Sequence, residues 1–373
     1  MRKRKKTGTT FADKLVRLLA LVLALMLVLG FLAGRFDPRE YPYIPFFGLA
    51  YPFVLFLNVL MIAWWLLRRR WVFALGTLVL ILCGQRALHA TFGLIGSKGE
   101  GPKAKPEHIR MMTYNVHAFR PYGLDATDSV RHEMLEVIRK EDPDIICFQE
   151  YFSRNKGSYA MTDSLKRILR TRHFYFQSSN GNSYEAFGLA IFSRYPIKGT
   201  GVIEFSENSG SNASIYADLL VQGRQIRVYN VHLQSISFKE QDYDYIDKVS
   251  QHMDAEIVPS RRILGMLKRA FIKRSAQVDI MKQNLDSCKT PFLIAGDFND
   301  TPASYAVARM THSLKNTFVE QGTGLGRTYN GKFPNFQIDY ISATKEFRVL
   351  NHRVIEAKLS DHFPVRSDLR LNF

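Results

Sequence analysis

Cysteine is scarce in this chain, with three in 373 residues. Cys83 falls in an apolar helix-like stretch, Cys147 in an apolar strand and Cys288 near a helix end. Three such residues make no disulfide framework. A Cys147–Cys288 bridge is open to the chain in an oxidising compartment, but buried free thiols are the expected state. Acidic residues are nearly missing from the first 96 positions, which hold 3 Asp+Glu against 13 Lys+Arg; the remainder holds 31 against 38. The formal charge of +17 thus divides into +10 and +7. The basic balance therefore reflects membrane flanks more than a nucleic-acid surface. There is no internal repeat and no low-complexity tract. The glycine-rich stretch Gly322–Tyr329 lacks the spacing of a phosphate loop, although Arg327 within it could meet a phosphate.

What the first 96 residues do have is long apolar runs. The opening MRKRKK precedes Leu15–Ala33, and two further segments fit within Tyr43–Leu67 and Trp71–Ile95. Crossing a bilayer takes ~20 apolar residues, so three spans are expected, near 15–33, 43–67 and 71–95. A cleaved signal peptide is the alternative for the first. It is disfavoured by the length of the run and the lack of a small-x-small site before Arg35–Glu40. Gln85, Arg86 and His89 make the third span the weakest, since intramembrane charge is costly. MRKRKK and Arg68–Arg70 should stay cytoplasmic, with Trp64, Trp65 and Trp71 as interfacial anchors. Three spans put the rest of the chain on the extracytoplasmic side of the inner membrane; two would leave it inside. Ser97–Glu107, rich in Gly, Pro and Lys, reads as a flexible linker within 97–108.

From residue 109 onward, apolar strands alternate with helical spacing. Strands are expected over Ile109–Tyr114, Asp144–Phe148, His173–Gln177, Phe187–Phe192, Ser214–Val221, Gln225–Val231, the run ending Ala295-Gly296-Asp297, Gln337–Ser342 and Arg353–Ala357. Helices are expected over Val130–Lys140, Met161–Arg170 and Ile263–Leu285. This is an α/β (α+β) domain of ~270 residues, enough for a sizeable core. Several strands end in a polar residue: Asn115, Glu150, His232, Asp297. Such ends meet at one sheet edge, where open sheets bind ligands. Asp297 and Asn299, two apart, are expected on one side of a strand. Hard oxygen donors gathered there suit Mg²⁺ or Mn²⁺.

Six short motifs occur in order: Thr113-Tyr114-Asn115, Phe148-Gln149-Glu150, Tyr229-Asn230-Val231-His232-Leu233, Gly296-Asp297-Phe298-Asn299, Gln337-Ile338-Asp339-Tyr340 and Ser360-Asp361-His362-Phe363-Pro364-Val365. From Ile109 to the C-terminus the chain resembles the endonuclease/exonuclease/phosphatase (DNase I-like) superfamily. The resemblance implies a four-layer sandwich of two mixed β-sheets flanked by helices, here following transmembrane helices. It also implies a divalent-metal-dependent phosphoesterase that attacks phosphorus with water. On that resemblance Glu150, Asn115 and Asp361 hold the metal, Asp361 alternatively steadying His362. Asp297 orients or deprotonates the water, and Asn299 and His232 contact phosphoryl oxygens. His362 is the acid/base or phosphate-stabilising group, with Asp339 accepting its ring N–H. Glu185 orients His232, as a matching acid does in DNase I-like members. His117 and Tyr151 are read as loop packing.

Substrate is less legible. The chain lacks the WxGDxN and Pro-x-x-x-Asp-Arg strings of inositol-polyphosphate 5-phosphatases and the Trp-Arg-Leu-Asp-Tyr string of AP endonucleases. A nuclease-type substrate is favoured over a sphingomyelinase- or phospholipase C-like one. A membrane scaffold without chemistry is a third possibility, but it should show a broken motif set, and every position here is filled. No obligate protein partner is implied. Ser237–Ser260 and the basic helix after it form an insertion. Its Arg261, Arg262, Lys268, Arg269, Lys273 and Arg274 alternate with Ile263, Leu264, Leu267, Phe271 and Ile272. An outer helix packed on the sheet with a solvated basic face is favoured over one lying on lipid or nucleic acid.

Overall fold

Hydrophobic period decides the element types, and the computed structural model describes them for residues 11–120, 129–206, 212–236, 238–252, 257–331 and 336–372. MRKRKK, Ser237 and residues 253–256 lie outside the described residues. Helices α1 (Phe11–Leu32) and α2 (Ile44–Leu67) are long and apolar enough to cross a membrane. α3 (Trp71–Cys83) and α4 (Gln85–Thr91) form a pair bent by 74°. The third apolar segment is therefore a short helix with a kinked extension, not a straight span. The bend falls at Gly84, where a Cβ would lie 2.7 Å from the Phe31 ring, just before polar Gln85 and Arg86.

A two-residue strand β1 (Phe92–Gly93) then pairs with β11 (Gly324–Leu325). So the glycine-rich loop seats the chain as it leaves the helices. A side chain at Gly93 would reach 2.2 Å from the Gly322 carbonyl. The segment 97–108 is fastened at several points. The Ser97 carbonyl accepts from the His352 amide (2.9 Å), and that of Gly99 from Arg366. Lys103 meets Asp144 (2.6 Å), and Gln222 donates to the Glu107 carbonyl (2.6 Å). Composition suggested flexibility; long-range bonds that composition cannot reveal tie the segment down.

One sheet runs β13 (Phe347–Val349), β15 (Val365–Leu371), β2 (Ile109–Asn115), β3 (Ile145–Arg154), β5 (Glu185–Ser193), β4 (His173–Gly181), with β14 (Arg353–Val354) beside β15. The other runs β10 (Lys315–Asn316), β12 (Asp339–Ala343), β9 (Phe292–Asp297), β8 (Arg224–His232), β7 (Ala213–Val221), β6 (Ile197–Glu204). Each is mixed: β2 is parallel to β3 and β8 to β9, and the other pairings are antiparallel. Sequence reading missed β6, whose Gly199 and Gly201 break the apolar alternation. The Tyr216 ring lies over Gly201, where a Cβ would be 2.4 Å from it.

The inner faces share one core, including Ile109, Met111, Cys147, Ile215, Val228, Leu293 and Ile341. α5 (Val130–Glu141) and α6 (Met161–Leu169) cover the outside of the first sheet through Met134, Ile138 and Leu165. α8 (Ile257–Ser287) and α9 (Tyr305–Met310) cover the second through Val278, Met281 and Val307. Helix, sheet, sheet, helix: this is the four-layer sandwich. α7 (Glu240–His252) precedes α8, and α10 (Thr317–Gln321) follows β10. The three cysteines are free, with Cys147 inside the inter-sheet core.

The far half of α8 therefore packs as an outer helix. Its near half does something the sequence did not suggest: it packs against the apolar N-terminal helices. Phe271 meets the Phe46 ring edge-on at 5.4 Å, and Lys268 lies over Tyr43. In the loop after α1, Asp37 accepts from Ser275 (2.7 Å), and Arg39 reaches Asp279. Gly34 and Gly48 lie tight against the sandwich, where a Cβ would be 3.0 Å from Ala308 and 3.2 Å from the Ala303 carbonyl. The helices and the sandwich are close-packed together.

Candidate active site

The sandwich brings distant strand ends to one edge. β2 and β3 run parallel and deliver Asn115 and Glu150. β8 and β9 run parallel in the other sheet and deliver His232 and Asp297, which are register partners. β12 is antiparallel to β9, so its first residue, Asp339, stands opposite Asp297. β15 is antiparallel to β2, so the segment entering it, with Asp361 and His362, arrives at the same edge.

Buried amides lock the two sheets behind this edge. Asn230 in β8 donates to the carbonyls of Phe148 (2.8 Å) and Ala190 (3.0 Å) in the other sheet. Gln149 donates to Asn230 Oδ1 at 2.6 Å. The motif residues between the site residues are thus cross-sheet fasteners.

Local backbone then aims the side chains. Gly296 has φ +144°, and a Cβ there would be 2.0 Å from the Val231 carbonyl. This glycine lies inside the strand and is needed for the close approach of β8, not for a turn. Glu150 sits at a register shift in the β3–β5 pairing with φ +50°, which turns its carboxylate outward. β9 ends at Asp297. Asn299, with φ +52°, is held by its amide donating to Asp297 Oδ1 (2.8 Å) and its side chain donating to the Leu233 carbonyl (2.9 Å). An Asx turn, not strand alternation, brings Asp297 and Asn299 together. His117, Ala118 and Phe119 all have φ between +44° and +57°. This unusual left-handed run turns His117 toward the site.

At the centre, Asp339 Oδ2 lies 2.9 Å from His362 Nδ1, and His362 Nε2 lies 3.6 Å from Asp297 Oδ2. His232 Nε2 is 3.7 Å from Asp297 Oδ2 and 4.0 Å from Glu150 Oε1. Asn115 Nδ2 donates to both Asp297 Oδ2 (3.2 Å) and Glu150 Oε1 (3.3 Å). Asp297, Asp339 and His362 are all buried. Burial opposes charge on the His362 ring, but Asp339, Asp297 and Asp361 outweigh it and hold the imidazolium well above the ordinary histidine value. Burial pushes the Asp297 carboxyl up to about 6, against the pull of His362 and His232.

Glu150 and Asp361 lie nearer the opening, with side chains 28% and 20% exposed. His117 Nδ1 stands between them, 3.6 Å from Glu150 and 3.9 Å from Asp361. Burial acts to raise the Glu150 carboxyl, but His117, His232 and His362 outweigh it and hold it down to about 2. The bond to Glu150 likewise raises His117. The two carboxylates are hard oxygen donors of the kind that fit a divalent cation, while Asn115 beside them turns its Nδ2 to Glu150 and its Oδ1 to the His117 amide (3.2 Å). Asp297, Asp339 and His362 also lie close enough to hold a cation. Their arrangement also suits proton handling, because Asp339 Oδ2 holds His362 Nδ1 and leaves Nε2 facing Asp297.

These groups surround a hollow of about 230 Å³ lined by His117, Glu150, His232, Asp297, Asn299, Asp361 and His362. A larger depression of about 350 Å³, near Lys289 and His312, contains none of the sequence-predicted site residues. Two expectations need correcting. Glu185 accepts from Arg154 (2.8 Å), and the carboxylates facing His232 are Glu150 and Asp297. Glu185 opens β5, two residues before the strand expected over Phe187–Phe192, and the β3–β5 register sets it opposite Arg154. His117, read as loop packing, lines the hollow. Tyr151 does pack, among Phe119, Phe148 and Phe176, and its hydroxyl bonds Thr162. Arg327 is exposed and is not part of the lining; Tyr329, two residues on, is, with its ring against His362 at 5.6 Å. Sequence reasoning also missed Leu49, Phe238, Tyr243 and Phe336 in the lining. No motif marks them.

Residues 112–362 match the family described as Endonuclease/Exonuclease/phosphatase, and residues 13–91 match one described as Domain of unknown function (DUF8431). No curated protein matches the chain. Among solved structures, an endonuclease/exonuclease/phosphatase from Bacteroides vulgatus aligns at 17% identity and TM-score 0.51, covering 71% of this chain and 99% of that one. A family protein from Bacteroides thetaiotaomicron aligns at 16% identity and TM-score 0.50, covering 72% and 100%. At these identities the likeness is one of fold.

Proposed function

Because this chain belongs to the Endonuclease/Exonuclease/phosphatase family, whose members are metal-dependent hydrolases of phosphoester bonds, we propose that it is a membrane-anchored phosphodiesterase using Mg²⁺. The observation that carries this reading is the convergence of Asn115, Glu150, His232, Asp297, Asp339, Asp361 and His362 around one edge. Asn115, Glu150 and Asp361 would hold the cation, which supplies charge neutralisation at the phosphoryl oxygens when bound.

Asp297, raised toward neutral pH by burial, accepts the proton of the attacking water. The water oxygen bonds to phosphorus and the bond to the departing alcohol breaks. Asp339 keeps His362 cationic and fixes its ring, so Nε2 can stabilise a phosphoryl oxygen and give its proton to the leaving oxygen. His232 and Asn299 border the same space and contact the remaining oxygens.

Anchoring rests on α1, α2 and the bent α3–α4 pair. Arg68 pairs with Asp13 at 3.3 Å, so the arginine triplet and the start of α1 share the end remote from Gly34, which packs on the sandwich. Positive charge at that end supports a catalytic domain on the extracytoplasmic side. A reporter fused to the C-terminus tests this.

Phosphodiester hydrolysis is tested with bis(p-nitrophenyl) phosphate and Mg²⁺. Turnover should be lost with chelator, in Glu150→Ala and in His362→Ala; retention in both variants refutes the proposal. Of the two substrate classes, the apolar flank of the hollow favours lipid over the nuclease-type substrate that the motifs alone suggested.

A further inference from the structure

One face of α2 runs through the wall of the hollow. Phe46, Leu49 and Phe53 are spaced i, i+3, i+7, which puts them on one side of a helix. Phe46 meets Phe271, Leu49 lines the hollow, and Phe53 meets Phe336 edge-on at 6.1 Å. Leu267, Phe271 and Phe336 line the hollow from the sandwich side. Beyond Phe53 the same face continues as Phe56, Leu57 and Leu60, which are 61%, 43% and 49% exposed. An apolar track therefore leads from the catalytic groups onto the surface of a helix long enough to span a bilayer.

The lining is poor in what a polyanion needs. Among the described residues Arg274 is its one Lys or Arg side chain, and this is buried and bonded to Asp300 (2.9 Å) and the Gln234 carbonyl (2.9 Å). A nucleic-acid strand could stack a base on Phe238 or Tyr243, but its neighbouring phosphates would find no row of cations among the described residues of the lining. An acyl chain finds a continuous apolar path, with the phosphate at one end.

We infer that α2 is a substrate-binding wall as well as an anchor, and that the substrate is a membrane phospholipid. Its headgroup phosphodiester enters the site from the bilayer while an acyl chain lies along Leu49 and Phe53. The inference rests on the phosphodiesterase and membrane-anchor readings above. It makes Leu49 and Phe53 specificity determinants that a soluble member of the fold would lack.

Full-length protein in detergent micelles, with Mg²⁺, is assayed on short-chain phosphatidylcholines below their micelle threshold, on phosphatidylethanolamine/phosphatidylglycerol vesicles, on a single-stranded oligonucleotide and on bis(p-nitrophenyl) phosphate. Burying a CH₂ is worth ~0.8 kcal/mol, or about fourfold. Two added CH₂ groups per chain should then raise kcat/KM at least tenfold, with vesicles cleaved and the oligonucleotide spared. Leu49→Gln and Phe53→Ala should each flatten that dependence to below threefold, whereas Leu75→Ala, on an exposed part of α3, should keep it. A flat wild-type series, or an oligonucleotide cleaved faster than any lipid, overturns the inference even if a variant folds poorly. The two readings fail separately. A flat wild-type chain-length series with intact bis(p-nitrophenyl) phosphate turnover removes only the wall. Turnover that survives Glu150→Ala and His362→Ala removes the phosphodiesterase itself.

Discussion

Replacing Asp339 by Asn tests the proton-handling centre with the least change of shape. The Asp339 oxygen sits 2.9 Å from His362 Nδ1, and both side chains are buried. Unlike charges about 4 Å apart attract by roughly 4 kcal/mol at an effective dielectric near 20. Removing one partner of a buried pair costs roughly 3–5 kcal/mol. An imidazolium facing an amide would carry that cost, so His362 should shed its proton instead. The sign follows. His362 is raised in the folded protein, so its cationic form persists to high pH and is lost as pH rises through the raised value. In Asp339→Asn that loss moves to lower pH.

At about 1.4 kcal/mol per tenfold in rate, losing 3–4 kcal/mol of stabilisation lowers kcat by roughly 10²- to 10³-fold at pH 8. The pH profile of kcat for bis(p-nitrophenyl) phosphate should show its alkaline limb displaced toward neutrality, with far-UV circular dichroism unchanged. A loss below threefold with an unmoved alkaline limb would refute the assignment of Asp339 and His362 as the acid.

Other expectations follow from the same geometry. Glu150→Gln should weaken Mn²⁺ binding, read by isothermal titration calorimetry, by about 10- to 100-fold, since a carboxylate is exchanged for a neutral amide at a hard-cation site. Asp297 must be ionised to accept a proton, and burial lifts it to about 6. kcat/KM should therefore fall about tenfold per pH unit below about pH 6, an acid limb that vanishes with most of the activity in Asp297→Asn. Asn230→Ala strips the cross-sheet bonds to Phe148, Ala190 and Gln149. At ~1–3 kcal/mol for each buried group left unpaired, it should lower stability by about 2–4 kcal/mol in chemical denaturation.

Much of the site was legible in the linear order, because strand alternation and strand ends leave local marks. Asn115, Glu150, His232 and Asp297 each follow or end an apolar run, so their presence at one sheet edge could be anticipated from the period of the chain, whereas Asp339 and His362 were marked by the family resemblance. Their relations could not. Nothing local says that Asn299 arrives by an Asx turn with φ +52°, that Gly296 exists for the approach of Val231, or that Glu185 belongs to Arg154. His117 looked like loop because three successive left-handed residues are a backbone event that composition does not signal.

The sequence by itself determined the apolar N-terminal helices, the α/β (α+β) class and the identity of the acids, amides and histidines, since each depends on residue type and short-range period. Only the tertiary structure decided that a helix some 70 to 300 residues upstream of the catalytic groups forms part of their wall. That contact arises where side chains distant in the chain meet, Phe46 on Phe271 and Phe53 on Phe336, with Leu49 between them in the wall of the hollow. Pairing across such separations is fixed by packing, not by any pattern within one segment.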